Sequence, residues 1–203
     1  DRAGLVGSDG ETHQGVFDVS ALLSVPGMTV FCPASYSELR DMTERAVMEI
    51  GGPAAVRYPK GSEGEYTGGG SEAVRVLASG SDLTLITYGI NINDVLAAGK
   101  MLAEKGVGCD IIKLGIIKPL CFEEIEKSAL KTGRVIVVEE VVSSGCVGEL
   151  IMAHLSEKEI PVRGECLNLG DNFIEHGDVK SLRALYGIDP EGICRAAERV
   201  MER

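Results

Sequence analysis

Short apolar runs alternate with longer amphipathic stretches along most of this chain. Residues 83–88, 108–114 and 134–139 are nearly continuous in apolar character. Runs of that length predict strands buried on both faces, as in a parallel sheet. Between them, residues 92–105, 122–131 and 147–158 repeat apolar positions at helical spacing, which predicts helices. Asn91 is placed as the N-cap of the first of these. Residues 73–78 alternate and read as an edge strand, and 162–169 as a further strand. Two helices, at 179–185 and 190–202, close the pattern. Pro190 suits a first helical turn after Asp189. Strand and helix in alternation predict an α/β domain with a mostly parallel sheet and helices on both faces.

The first sixty residues follow a different rhythm. Residues 1–13 are polar and rich in glycine (Gly4, Gly7, Gly10). A short helix over 17–24 follows, then a strand over 28–32. Ser35 and Glu38 form a capping box, with Ser35 as N-cap and Glu38 at N3. The helix behind it carries Leu39, Met42, Ala46, Val47 and Ile50 on one face and stops at Gly51-Gly52-Pro53. Residues 54–58 read as a strand. Strand, helix, strand is one βαβ unit, and two strands cannot bury both faces of a sheet. The expectation is that more of this sheet lies outside the chain. Residues 59–71 hold Gly61, Gly64, Gly68, Gly69 and Gly70 and no apolar period, which marks a domain boundary.

Charge narrows the function. Asp and Glu number 31 against 20 Lys and Arg, a net charge of −11. Such a chain repels phosphate backbones and anionic lipid, which argues against nucleic-acid and membrane partners. No apolar run approaches the roughly 20 residues of a membrane span, and Asp1-Arg2-Ala3-Gly4 is no signal region. None of the six cysteines lies within ten residues of another, so no zinc-type spacing exists. Most sit in apolar stretches and read as buried, reduced thiols, which points to a reducing, cytoplasmic setting.

Candidate chemistry concentrates in the first loop, where Arg2, Asp9, Glu11, Thr12, His13, Gln14 and Asp18 cluster. A His four residues after an Asp can be oriented by that carboxylate and can move protons near neutral pH. The alternative is a solvated loop. Gly7-Ser8-Asp9-Gly10 invites comparison with a metal–diphosphate loop, but one Asp is too few oxygen ligands and no Asn precedes Asn91. No metal ligand is therefore assigned. Arg57 and Lys60 stand at the carboxyl end of an expected parallel strand, where ligands bind in open α/β sheets. Arg57 can grip a phosphate through paired hydrogen bonds or pair with a carboxylate of the chain. Glu139-Glu140 ends a strand and reads as a capping or interface carboxylate pair. His154 reads as a core or interface residue and His176 as a loop residue.

Asp1-Arg2-Ala3-Gly4, Asp9-Gly10 with Thr12-His13-Gln14-Gly15 and Phe17-Asp18, and Arg57-Tyr58-Pro59-Lys60-Gly61 together resemble the 1-deoxy-D-xylulose-5-phosphate synthases. Lys118-Pro119-Leu120, Val138-Glu139-Glu140 and Phe173-Ile174-Glu175-His176-Gly177 fit the last domain of that transketolase-like family in order. The resemblance covers the whole chain. It implies an enzyme using thiamine diphosphate and Mg2+ that decarboxylates pyruvate and joins the two-carbon unit to glyceraldehyde 3-phosphate. It also implies a homodimer. Residues 1–60 would be the C-terminal part of a pyrimidine-binding domain, 61–71 a linker, and 72–203 the C-terminal domain. His13 matches the family's active-site histidine, with proton transfer or hydrogen bonding at the cofactor-bound intermediate as its task. Asp9 matches the acid near acceptor hydroxyls, and Arg2 and Arg57 match the arginines that bind the acceptor's anionic end. Cofactor-binding residues are expected upstream, so this piece alone is expected to be inactive. Residues 141–147 depart from the pattern and receive no role. The alternatives are a β-type subunit of a 2-oxoacid dehydrogenase, a split transketolase half, and a non-catalytic dimerisation domain.

Overall fold

The computed structural model describes residues 1–202, except the side chain of Ser8. In chain order the elements are α1 (Asp18–Ser24), β1 (Thr29–Phe31), α2 (Tyr36–Met48), β2 (Ala54–Val56), β3 (Val74–Ala78), β4 (Leu83–Tyr88), α3 (Ile92–Glu104) and β5 (Cys109–Leu114). They continue with β6 (Ile116–Lys118), α4 (Glu123–Thr132), β7 (Arg134–Val138), α5 (Val147–Glu157), β8 (Arg163–Leu167), α6 (Val179–Tyr186) and α7 (Pro190–Glu202).

The larger sheet has the order β3-β5-β4-β7-β8. Only the edge strand β3 runs antiparallel. Alternation along its strands separates two cores. Leu83, Leu85, Ile136 and Val138 face α3 and α7, whereas Ile86, Tyr88, Val135 and Val137 face α4 and α5. Both faces are covered, so the central strands are apolar throughout. The first segment shares these cores. Leu5 and Val16 join the first face, and Val19, Val30 and Cys32 join the second.

The smaller sheet has the order β2-β1-β6. Its strand β6 was not expected, because the apolar strand over 108–114 was read as ending at Leu114 and the residues after it received no element. Gly115 divides β5 from β6. Its N–H donates to the Ala73 carbonyl at 2.9 Å, and its carbonyl accepts from Cys32 N–H at 2.8 Å. A Cβ there would stand 2.2 Å from the Glu72 carbonyl oxygen. The backbone therefore passes from one sheet to the other at a point where only glycine fits.

Two local expectations change. Ser35 caps α2 by accepting from Glu38 N–H at 3.1 Å. Glu38 does not close the box on Ser35. Its carboxylate takes Ala34 N–H at 2.9 Å, Tyr66 O–H at 2.7 Å and Lys113 Nζ at 2.9 Å. Lys113 is only 2% exposed, and burial pulls its ammonium below its ordinary range. Burial and the neighbouring Glu38 push the Tyr66 hydroxyl up to about 12. Asn91 precedes α3 but its side chain caps nothing, since the helix is entered through a tight turn over Gly89–Asn91.

Removing one partner of a buried ion pair strands the other charge. Lys113→Met is expected to lower the unfolding free energy by about 3–5 kcal/mol. Adding Glu38→Gln to it should recover part of that loss. Urea unfolding of the two variants checks both outcomes.

Candidate functional site

The first loop is closed at its neck by backbone. Gly4 N–H donates to the Gly15 carbonyl and Gly15 N–H to the Gly4 carbonyl, both at 2.8 Å. A Cβ on Gly15 would lie 1.8 Å from the Arg2 carbonyl oxygen, so the neck admits no side chain there. Between the stems the chain makes two tight turns, Gly7–Asp9 and Glu11–His13. Arg2, at the entrance, has φ of 62°. That is a left-handed conformation rare for residues other than glycine.

The loop meets the strand end reached by β2. Ala3 N–H donates to the Tyr58 carbonyl at 3.0 Å, and Lys60 Nζ lies 2.6 Å from Asp9 Oδ2. Two motifs about fifty residues apart in sequence therefore share one edge of the molecule. The hydrogen bond from Lys60 holds the Asp9 carboxyl below the usual carboxylate range, with Arg2 and His13 adding positive charge nearby. His13 is exposed, and its Nδ1 lies 2.9 Å from Thr12 Oγ1. Asp9 does not orient His13 as the spacing suggested: Oδ2 of Asp9 pairs with Lys60, and Nδ1 of His13 faces Thr12.

Arg57 is buried, and its guanidinium is engaged within the chain. Nε donates to Asp18 Oδ2 at 2.8 Å; Nη2 donates to Asp18 Oδ1 at 3.2 Å and to the Gly15 carbonyl at 3.0 Å. Of the two readings of Arg57, pairing with a carboxylate is the one present here. That pair also braces the outgoing stem of the loop.

Sequence reasoning missed the anchors on the opposite side. Glu140 is 2% exposed, and its Oε2 accepts from Leu5 N–H at 3.2 Å while Oε1 accepts from Arg183 Nε. Arg183 also reaches Asp94 Oδ2 through Nη1 at 3.1 Å. Burial pushes the Asp94 carboxyl up to about 6, against the pull of Arg183. Gln14 Oε1 accepts from Val6 N–H at 2.8 Å, and Nε2 donates to the Glu175 carbonyl at 3.2 Å. The sequence marked Gln14 in the first loop and Glu139-Glu140 at a strand end, without their partners. Nothing local marks Arg183, 43 residues further on.

The remaining candidates have structural tasks. Glu139 accepts from Val147 N–H at 3.0 Å and Gly148 N–H at 2.7 Å, which caps α5, and from Tyr88 O–H at 2.8 Å. His154 stacks on Phe122 with ring centres 3.6 Å apart, and its Nε2 lies 2.6 Å from Glu126 Oε1. His176 is exposed. In the 141–147 stretch, Val142 N–H donates to the Val16 carbonyl at 3.1 Å. Cys32, Cys109, Cys146 and Cys194 are buried, Cys166 is partly buried and Cys121 is exposed; all six thiols are free.

Two cavities are formed, the smaller of them beside the Arg57–Lys60 strand end. One of about 180 Å³ is lined by Tyr36, Tyr58, Pro59 and Ile90, and one of about 370 Å³ by Leu23, Ile117, Phe122, Leu150 and His154. Among the described residues no three His, Cys, Asp or Glu side chains converge on a metal position. These residues do not fit a metal–diphosphate site.

An α/β protein with a cation-bearing loop laid against the carboxyl end of its parallel strands is the class that fold and site define. Residues 1–64 match the transketolase pyrimidine-binding domain and residues 72–193 the transketolase C-terminal domain, and the chain belongs to the transketolase family. It is 37% identical to the 1-deoxy-D-xylulose-5-phosphate synthase of Clostridium acetobutylicum, over 96% of this chain and 32% of that protein. It is 39% identical to 1-deoxy-D-xylulose-5-phosphate synthase 1 of Geobacter sulfurreducens, over 98% of this chain and 32% of that protein. The chain thus spans about a third of the length of these curated relatives. Among solved structures, a split-gene transketolase described as an inactive β4 tetramer superposes with a TM-score of 0.79 at 26% identity. That match covers 95% of this chain and 63% of that one. A transketolase mutant from Pichia stipitis, at 17% identity and a TM-score of 0.78 over 99% of this chain and 29% of that one, shares the fold. Among the described residues no helix is long and apolar enough to cross a membrane.

Lys60 is what keeps the Asp9 carboxyl low. Lys60→Met is expected to raise the Asp9 pKa toward the ordinary carboxylate value, so that Asp9 takes up its proton at a higher pH. NMR titration of the Asp9 side chain checks this. An unchanged midpoint counts against the pair.

Proposed function

We propose that the chain is part of a thiamine diphosphate-dependent transferase of the 1-deoxy-D-xylulose-5-phosphate synthase type. The full enzyme condenses pyruvate with glyceraldehyde 3-phosphate with loss of CO2. The observation that carries this reading is the meeting of the first loop with the Arg57–Lys60 strand end, through the Ala3–Tyr58 hydrogen bond and the Lys60–Asp9 pair. Residues 1–60 are then the C-terminal part of the pyrimidine-binding domain, 61–71 the linker and 72–203 the C-terminal domain. The remaining two-thirds of the synthases' length supplies the groups that hold the diphosphate and Mg2+. A cytoplasmic homodimer belongs to the same reading.

When bound, thiamine diphosphate supplies the electron sink for decarboxylation. The residues of this chain act on the acceptor. Arg2 and Arg57 bind its phosphate, with Asp18 fixing the plane of the Arg57 guanidinium. Lys60 adds positive charge beside them, which an acidic protein needs to hold an anion. Asp9 accepts from an acceptor hydroxyl. Carbon–carbon bond formation leaves negative charge on the former aldehyde oxygen, and His13 supplies the proton that quenches it.

Losing a charged hydrogen bond to phosphate costs about 1.5–3 kcal/mol. Arg57→Ala in the full-length protein is therefore expected to raise the KM for glyceraldehyde 3-phosphate roughly ten- to a hundredfold. The KM for pyruvate should stay near its original value. Steady-state kinetics checks this, and equal rises in both constants would argue against a phosphate role. The 203-residue chain alone is expected to show no turnover with both substrates, thiamine diphosphate and Mg2+, and measurable product would contradict the assignment of cofactor groups elsewhere.

A further inference from the structure

We propose that Glu140 and Arg183, both in the C-terminal half, are positioning residues for the 4–16 loop. They set the direction from which Asp9 and His13 meet the acceptor, an inference that rests on the acceptor-site reading above.

Both stems of the loop hang from the bend that follows β7. Glu140 Oε2 takes the Leu5 N–H on the incoming stem at 3.2 Å. Two residues further, Val142 N–H holds the Val16 carbonyl on the outgoing stem at 3.1 Å. The fit at the first contact is close: a Cβ on Gly4 would stand 2.1 Å from Glu140 Oε2. Only a bare backbone at Gly4 lets the neck close on the carboxylate.

Glu140 is in turn fixed from behind. Its other oxygen is held by Arg183 Nε, and the same guanidinium reaches Asp94 on α3. Glu140 is 2% exposed, and Arg183 and Asp94 are 18% and 16% exposed. A largely buried trio of charges adds little stability over apolar packing of the same volume. What it does provide is a carboxylate that cannot turn away from Leu5.

Among the described residues, side chains tie the loop beyond its neck at two places. Lys60 holds Asp9, and Gln14 ties the loop to the Glu175 carbonyl. Asp9 and His13 lie four and eight residues beyond Leu5. A tilt at the neck is therefore carried to the reacting side chains, where a displacement of about 1 Å is enough to slow chemistry severely. Neither Glu140 nor Arg183 touches the acceptor edge, so both act through the loop.

Three variants of the full-length protein test this. Glu140→Gln keeps an acceptor for Leu5 but releases Arg183. Arg183→Met removes the cation behind Glu140. Gly4→Ala presses on the same contact from the loop side. In each, amide exchange across 4–16 should quicken while exchange in β4 and β7 stays as it was. The KM for the phosphorylated aldehyde should rise roughly tenfold or more, with the KM for pyruvate within about twofold of its original value. Unchanged exchange in 4–16 overturns the proposal. So does a loss seen only as a lower melting temperature, or two KM values that rise together. If the unsubstituted protein fails to turn over pyruvate with the aldehyde, the acceptor-site reading is what falls. The exchange measurement then decides the clamp alone, with quickened exchange supporting it and unchanged exchange refuting it.

Discussion

A carboxylate shut away from water has to be met by donors, because an unpaired buried charge costs more than most contacts return. Glu140 satisfies that demand with a backbone N–H from residue 5 and a guanidinium from residue 183. The start of the chain and its last third are thereby held to one point at the end of β7. Its neighbour Glu139 satisfies the same demand differently, through the first N–H groups of α5 and the Tyr88 hydroxyl. Glu38 does so a third time, joining α2, the 59–71 stretch and β5 through Ala34, Tyr66 and Lys113. Three buried acids organise the joints between segments, while the apolar cores fill the space between them.

This arrangement accounts for how an acidic chain presents positive charge at one edge. The Arg57 guanidinium is largely balanced by Asp18 and buried, so it acts first as a brace for the loop. Lys60 is half-exposed and paired with Asp9, and Arg2 is held in a left-handed turn at the loop entrance. The local field is therefore built from cations whose positions are set by backbone hydrogen bonds and short ion pairs. The chain as a whole carries a net charge of −11.

The smaller sheet shows how closely the two halves interlock. β6 comes from beyond the 59–71 stretch, yet it pairs with β1. Gly115 lets the backbone change sheets within a single residue. Leu5 and Val16 pack into the same core as Leu83 and Ile136. The loop that bears Asp9 and His13 is thus packed against the C-terminal half at its two stems.

The sequence by itself determined the elements whose signal is local. Continuous apolar runs marked β4 and β7, helical spacing marked α3 to α5, and Ser35 marked the start of α2. It also determined the residue types of the loop and the strand end. Tertiary structure decided how charges paired, because pairing depends on distances between residues remote in sequence. Spacing linked Asp9 with His13, and the fold linked Asp9 with Lys60. The capping pattern sent Glu38 back to Ser35, and burial sent it to Lys113. β6 was invisible because Ile116-Ile117-Lys118 after Gly115 is too short a run to signal a strand until β1 is there to pair with it. Arg183 was invisible because its surroundings are an ordinary amphipathic helix, and only the fold brings that helix to the end of β7.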